Sequence, residues 1–303
     1  MAEIALSSAV RSNLLALQNT SGFIDRTQNR LSTGLEVSSP IDDAIKFFQA
    51  KSLSNRATDL LERKDAIDQG VNALNTALKA ADAMEDLVKQ MKGVIDQARS
   101  GDKTQRTAYK TQLQDLGTQI EKLVNDASYQ GLNLINSTGS KLAVRFSDKQ
   151  DSKLEVNGVN FQISGFFKKE AGTAITHGDA SKLLTGGLGF TAAIDSGYSL
   201  SKASEAALFN AAADKAINAL DKTVSNLRSE AAKMAGNVAI LQVRSNFTQE
   251  YSNVLESGSA QLTVADLNEE GANLLALQTR QQMGIQALSF AGQSEQAVLG
   301  LFR

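Results

Sequence analysis

The sequence predicts a mainly α-helical chain. Long antiparallel helices from the N- and C-terminal segments form a coiled-coil bundle, and a small β-containing insert interrupts them at mid-chain. Three observations lead there. The 303 residues hold a single proline, Pro40, so very long helices can run without the break that an interior proline imposes. Apolar residues recur at alternating three-and-four spacing on both sides of the middle. Between those runs, Asn157-Gly158 sits among alternating apolar residues, a hairpin signal.

Taken in order, Ser39, Pro40 and Asp42 read as a helix start, with Ser39 as N-cap and Pro40 at the first helical position. Apolar or alanine residues follow at 53, 57, 60, 67, 71, 74, 78 and 81, then at Met84, Val88, Met91, Ile95 and Ala98. This predicts a helix from Ser39 to Arg99, stopped by Ser100-Gly101. A second stripe through Tyr109, Leu113, Leu116, Ile120, Leu123 and Ala127 predicts an antiparallel neighbour after a short turn. In the C-terminal half, Ile217, Leu220, Val224, Leu227, Ala231, Met234, Val238 and Leu241 repeat the pattern, which drifts on to Phe247, Tyr251 and Val254. Each aliphatic is worth roughly 1.5–3 kcal/mol when buried, so these stripes require partner helices.

The expected hairpin alternates Leu142, Val144 and Phe146, then Leu154 and Val156, and turns at Asn157-Gly158 towards Val159, Phe161 and Ile163. Glycines thicken from Gly172 to Gly197, and the insert is expected at the far tip of a helical hairpin. The resulting division is residues 1–38 with 259–303 as a terminal coiled-coil domain, 39–138 with 200–258 as a long-helix bundle, and 139–199 as an outward-facing insert.

The two ends are unusual. The hexapeptide NLLALQ stands at Asn13 to Gln18 and again at Asn273 to Gln278. Charge is sparse in both regions, and the polar positions of 271–302 include Gln278, Gln281, Gln282, Gln286, Gln293 and Gln296. A solvated helix carries more charge, so both ends read as surfaces that touch other protein. Thr263 to Asp266 matches a capping box ahead of the last helix.

Composition excludes several classes. Lysine plus arginine is 31 against 33 for aspartate plus glutamate, which favours neither nucleic acid nor a strongly anionic surface. With no cysteine, thiol chemistry and cysteine-based metal sites are absent. Asp42 and Asp43 are adjacent and, on a helix, do not face each other. His177 is the sole histidine, and Gly186-Gly187-Leu188-Gly189 lacks the lysine and βαβ frame of a phosphate loop. No catalytic residue, cofactor or metal site is expected. No apolar run is long enough to span a membrane, and acidic Glu3 replaces the basic start of a leader, so export without a cleaved signal is expected.

The stretch RLSTGLEVSSPIDDA at Arg30 to Ala44 resembles the RLSSGLRINSAxDDA signature of bacterial flagellins. Asp68-Gln69-Gly70, Gln130 to Leu134 and LLALQTRQQMGIQALSFAGQSEQAVLGLF at Leu274 to Phe302 agree with it, so the resemblance covers about residues 1–138 and 200–303. It implies an extracellular filament subunit, exported unfolded by the flagellar type III system and packed against copies of itself. It also implies an export chaperone, a filament cap and hook-junction proteins as partners. Leu14, Leu17, Leu31, Leu274, Leu277, Ile285, Leu288, Leu299 and Phe302 become the expected subunit-packing residues, the two hexapeptides burying against each other and neighbouring copies.

Many flagellins read RELAVQA, the segment seen by the vertebrate innate-immune receptor, where this chain has Lys92, Gly93 and Val94 in KGVIDQA. Loss of the guanidinium fork and the acid implies weak or no recognition. Thr173, Thr176 and Ser181 are expected O-glycan positions. A hook–filament junction protein is the alternative within the resemblance. A membrane-active helical toxin is disfavoured because the termini lack a basic polar face.

Overall fold

The computed structural model describes residues 8–147, 149–162 and 203–301. The elements are helices α1 (Ser8–Thr33), α2 (Ala44–Ser100) and α3 (Lys103–Asp126), strands β1 (Lys141–Arg145) and β2 (Lys153–Asn157), and helices α4 (Ala203–Thr263) and α5 (Leu267–Leu301). The chain divides into two compact units, Met1–Thr58 with Tyr251–Arg303, and Asp59–Glu250. None of the described helices is long and apolar enough to cross a membrane.

In the unit formed by residues 59–250, α2 and α4 run antiparallel. Glu85 pairs with Arg228, Lys92 with Asp221, and Arg99 with Asp214, a register in which one number falls as the other rises. The stripe buries as expected: Ile67, Leu74, Ala81, Met84, Met91 and Ile95 face Leu220, Leu227 and Leu241, with Leu113 and Ile120 of α3 closing the third side. Asp102 starts α3 with a complete capping box, its carboxylate accepting from Gln105 N while the Gln105 side chain accepts from Asp102 N. Arg106 ties all three helices together. Its Nε donates to the Ala98 carbonyl at the end of α2, and its guanidinium lies 3.6 Å from the centre of the Phe209 ring.

The hairpin differs from the sequence reading. β1 pairs with β2, Lys141 opposite Asn157 and Arg145 opposite Lys153, so the connection is the loop after Arg145 and not Asn157-Gly158. Gly158 instead lets the backbone pass close to its neighbour. A Cβ there would lie 2.4 Å from Ser137 O and 3.0 Å from Ser140 O, and Gly158 N donates to Ser140 O. Val159 and Phe161 then bond to Leu134 and Ile135. Nor does the hairpin occupy the far tip: Val144 and Leu142 pack over Gly70 of α2 beside Leu241 of α4. Leu142, Val144 and Val156 on one face of the hairpin would be lost to water at a tip; against the bundle they are buried.

In the other unit α1 ends at Gly34, whose φ of 71° closes the helix with Gly34 N donating to Arg30 O. The two linkers that follow α1 and α4 are laced together: Leu35 bridges Val264, Glu36 N donates to Thr263 O, and Ala265 N donates to Gly34 O. Two helix starts are corrected here. Asp42 N donates to Ser39 O, so Ser39 and Pro40 open a turn, and α2 begins after Asp43, whose carboxylate accepts from Lys46 N. Likewise Thr263 closes α4 and Asp266 caps α5, accepting from Asn268 N and Glu269 N. In both places the acid is the cap and the earlier hydroxyl is not.

Candidate assembly surface

Helices α1 and α5 lie against each other. Arg30 pairs with Glu270 at 2.8 Å, and Leu17 packs on Gly284, where a Cβ would meet its Cγ at 3.2 Å. The pair is therefore antiparallel, with residue numbers in α1 falling as those in α5 rise. This register separates the two hexapeptides: the first lies near Gly284, while Leu277 of the second lines a groove with Phe23, Arg26 and Thr27. The repeated sequence occupies one helix pair, and its copies do not bury against each other.

The pair hides little of its apolar surface. Among the described side chains of α1, only Val10 and Ile24 are buried aliphatics. Among the described side chains of α5 no apolar residue is fully buried, and Glu270 alone is. Leu17, Leu274, Leu277 and Leu288 are half-buried, whereas Leu14, Leu31 and Ile285 are exposed. The side chains of Leu299 and Phe302 lie outside the described residues, as do Thr173, Thr176, Ser181 and His177. Exposed large side chains not anticipated from sequence surround them: Leu15, Phe23, Leu275, Met283 and Phe290. Apolar residues are spread around α5 instead of along one stripe, the pattern of a helix covered on several sides.

Where α2 and α4 approach within this unit, small residues fill the inside. Ser252 Oγ donates to Ala57 O and Ser259 Oγ to Ala50 O, while Gly258 faces Leu53. Of the stripe predicted to drift through Phe247, Tyr251 and Val254, Phe247 and Val254 are exposed and Tyr251 is half-buried, while the buried positions of α4 past Leu241 are Ser245, Thr248, Ser252 and Leu255. Outside stand Ile41, Ile45 and Phe48. Phe47 and Phe48 carried a readable signal, because adjacent residues on a helix cannot both face one partner.

Two models describe the helical ends of one family. That for the bacterial flagellin N-terminal helical region matches residues 4–140, and that for the C-terminal helical region matches residues 211–302. The chain belongs to the bacterial flagellin family. Flagellin FljM of Caulobacter vibrioides is 29% identical over 295 residues, 96% of each chain. A flagellin of Brucella melitensis biotype 1 is 27% identical over 306 residues and covers the whole of both chains. Among solved structures, a Vibrio parahaemolyticus chain described as a flagellar hook-associated protein shares the fold, with a TM-score of 0.58 at 15% identity over 74% of this chain and 100% of that one.

As a flagellin, the chain is a structural, non-enzymatic subunit of the flagellar filament, outside the cell. The segment from Lys92 to Val94 is partly occupied within the fold. Lys92 pairs with Asp221, Val94 is buried, and Gly93 faces open space with nothing within 4 Å of a built Cβ.

Proposed function

We propose that this flagellin polymerises through its terminal helix pair, α1 and α5 of each copy being covered by the same helices of neighbouring copies. The burial deficit of α5 supports this reading: it is apolar around its circumference, yet no described apolar side chain is fully buried. Burying one aliphatic contributes about 1.5–3 kcal/mol, while ordering one residue of backbone costs about 1–2 kcal/mol. A pair with so few buried side chains becomes ordered when other copies supply the missing contacts.

Leu14, Leu17, Leu31, Leu274, Leu277, Ile285, Leu288, Leu299 and Phe302 are the proposed packing residues. Residues 1–38 with 259–303 then form the inner layer of the filament, 39–138 with 200–258 the next, and 139–199 the outer face. Unfolded export, a dedicated chaperone, a cap at the growing end, hook-junction neighbours and a role in swimming belong to the same proposal by family resemblance. Weak recognition by the vertebrate receptor does too, since Lys92 is engaged by Asp221 and Gly93 offers no acid.

Seeded growth tests the reading. Purified chain added to filament fragments should elongate them into long filaments, which a hook–filament junction protein would not do. Deleting residues 271–303 should leave a soluble helical monomer that does not grow. Normal filaments from that truncation would refute assembly by terminal pairing.

A further inference from the structure

We infer that the groove between α1 and α5 receives the 41–48 knob of a second copy, so that successive subunits engage head to tail. This rests on the polymerisation reading above and names the contact.

The knob is rigid and exposed. Asp42 Oδ2 accepts from the backbone N and the hydroxyl of both Ser38 and Ser39 at 3.0–3.2 Å. Pro40 fixes φ beside it, and Ile41 stands 95% exposed on that turn. Ile45 and Phe48, on the first turns of α2, are 72% and 63% exposed. Lys46 is occupied by Glu36 at 3.6 Å, so Asp42 and Asp43 leave the knob acidic. A large aliphatic held that far into water on a braced turn is the signature of a contact anchor.

The groove, of about 320 Å³, has the complementary chemistry. Phe23 and Leu277 supply apolar walls, and Arg26, Arg30 and Arg280 bring three guanidiniums against the single carboxylate of Glu270. Arg30 takes that carboxylate. Arg26 rests over the Phe23 ring at 6.0 Å, and among the described residues Arg280 has no ion-pair partner. An apolar slot rimmed by unneutralised guanidiniums fits an isoleucine flanked by aspartates. Because knob and groove are different surfaces of one chain, their contact is heterologous and leaves a free groove and a free knob at the two ends, the condition for an open filament.

The absence of native cysteine gives a direct test. A chain carrying Ile41→Cys and Ala276→Cys, the latter at the groove, is grown on seeds and mildly oxidised. Disulfide-linked ladders are expected from filaments of the double variant, none from either single variant, and none from dilute double-variant monomer. Filaments that grow normally yet stay unlinked on oxidation overturn the inference. Ile41→Ser and Arg280→Glu provide a second arm: each should slow seeded elongation about tenfold or more with monomer helicity and thermal midpoint unchanged. Growth at the parent rate by both would overturn it equally. Failure of the unmodified chain to elongate seeds would count instead against the polymerisation reading itself.

Discussion

At the scale of single residues, the clearest electrostatic feature is Glu85. The Arg228 guanidinium donates to both of its oxygens and Lys89 adds a third contact, drawing its carboxyl down from 4.5 to about 2. Because the folded value is the lower, the stabilisation is fully present above the unfolded value, falls away as pH drops below about 4.5, and is gone near 2. Arg228 is largely exposed, so solvent screens the pair and its contribution is small. Glu85→Gln should lower the thermal midpoint at pH 7, and the difference from the parent should vanish as the pH of the melts approaches 2. Two glycines should respond in opposite senses. Gly93→Ala, on an exposed helical face with open space, should stabilise by about 0.5–1 kcal/mol in denaturant titration. Gly158→Ala should instead dislodge the hairpin, because its methyl would meet three backbone oxygens within 3.1 Å.

At the scale of elements, Arg106 and the hairpin decide how the helices of residues 59–250 hold together. Arg106→Ala removes a helix-end hydrogen bond and the cover of Phe209 together. It should cost about 2–4 kcal/mol in chemical denaturation, and Arg106→Lys should recover little because the planar stack is lost. The helices themselves were legible from sequence. The stripes of α2, α3 and α4 up to Leu241 bury as their spacing dictates, since a 3.6-residue period leaves few alternatives. Their starts were less so. The spacings Ser39 to Asp42 and Thr263 to Asp266 match the capping pattern without fixing which residue caps: α2 is capped one residue further on, at Asp43, and α5 at Asp266. Asn157-Gly158 misled for a related reason: glycine serves tight turns and close backbone passages alike, and only the partner backbone at Ser137 distinguishes them. Asn133 stood in a recognised motif without an evident task. Its amide donates to Val124 O and Asn125 O at the end of α3 while its oxygen accepts from Ile135 N and Asn136 N, a link between segments that spacing does not reveal.

At the scale of the whole molecule, the distribution of apolar surface carries the account. Beyond Leu241, Val243, Phe247 and Val254 of α4 turn outward while Ser245, Thr248 and Ser252 turn inward with Leu255, a seam poorer in apolar burial than that of a self-sufficient bundle. The terminal helices repeat this imbalance, with Leu15, Phe23, Leu275 and Phe290 left in water. Sequence indicated the trait through charge poverty at both ends but not which faces are bare, because a helix that is apolar all round has no phase to read. It also suggested that the two NLLALQ copies meet, whereas the antiparallel register set by Arg30–Glu270 and Leu17–Gly284 keeps them apart. The central claim is that α1 and α5 acquire their order from neighbouring copies. Amide hydrogen exchange over residues 8–33 and 267–301, followed in dilute monomer and in seeded filaments, tests it most directly. The account predicts near-unprotected exchange in the monomer and strong protection in the filament; comparable protection in the lone subunit would contradict it.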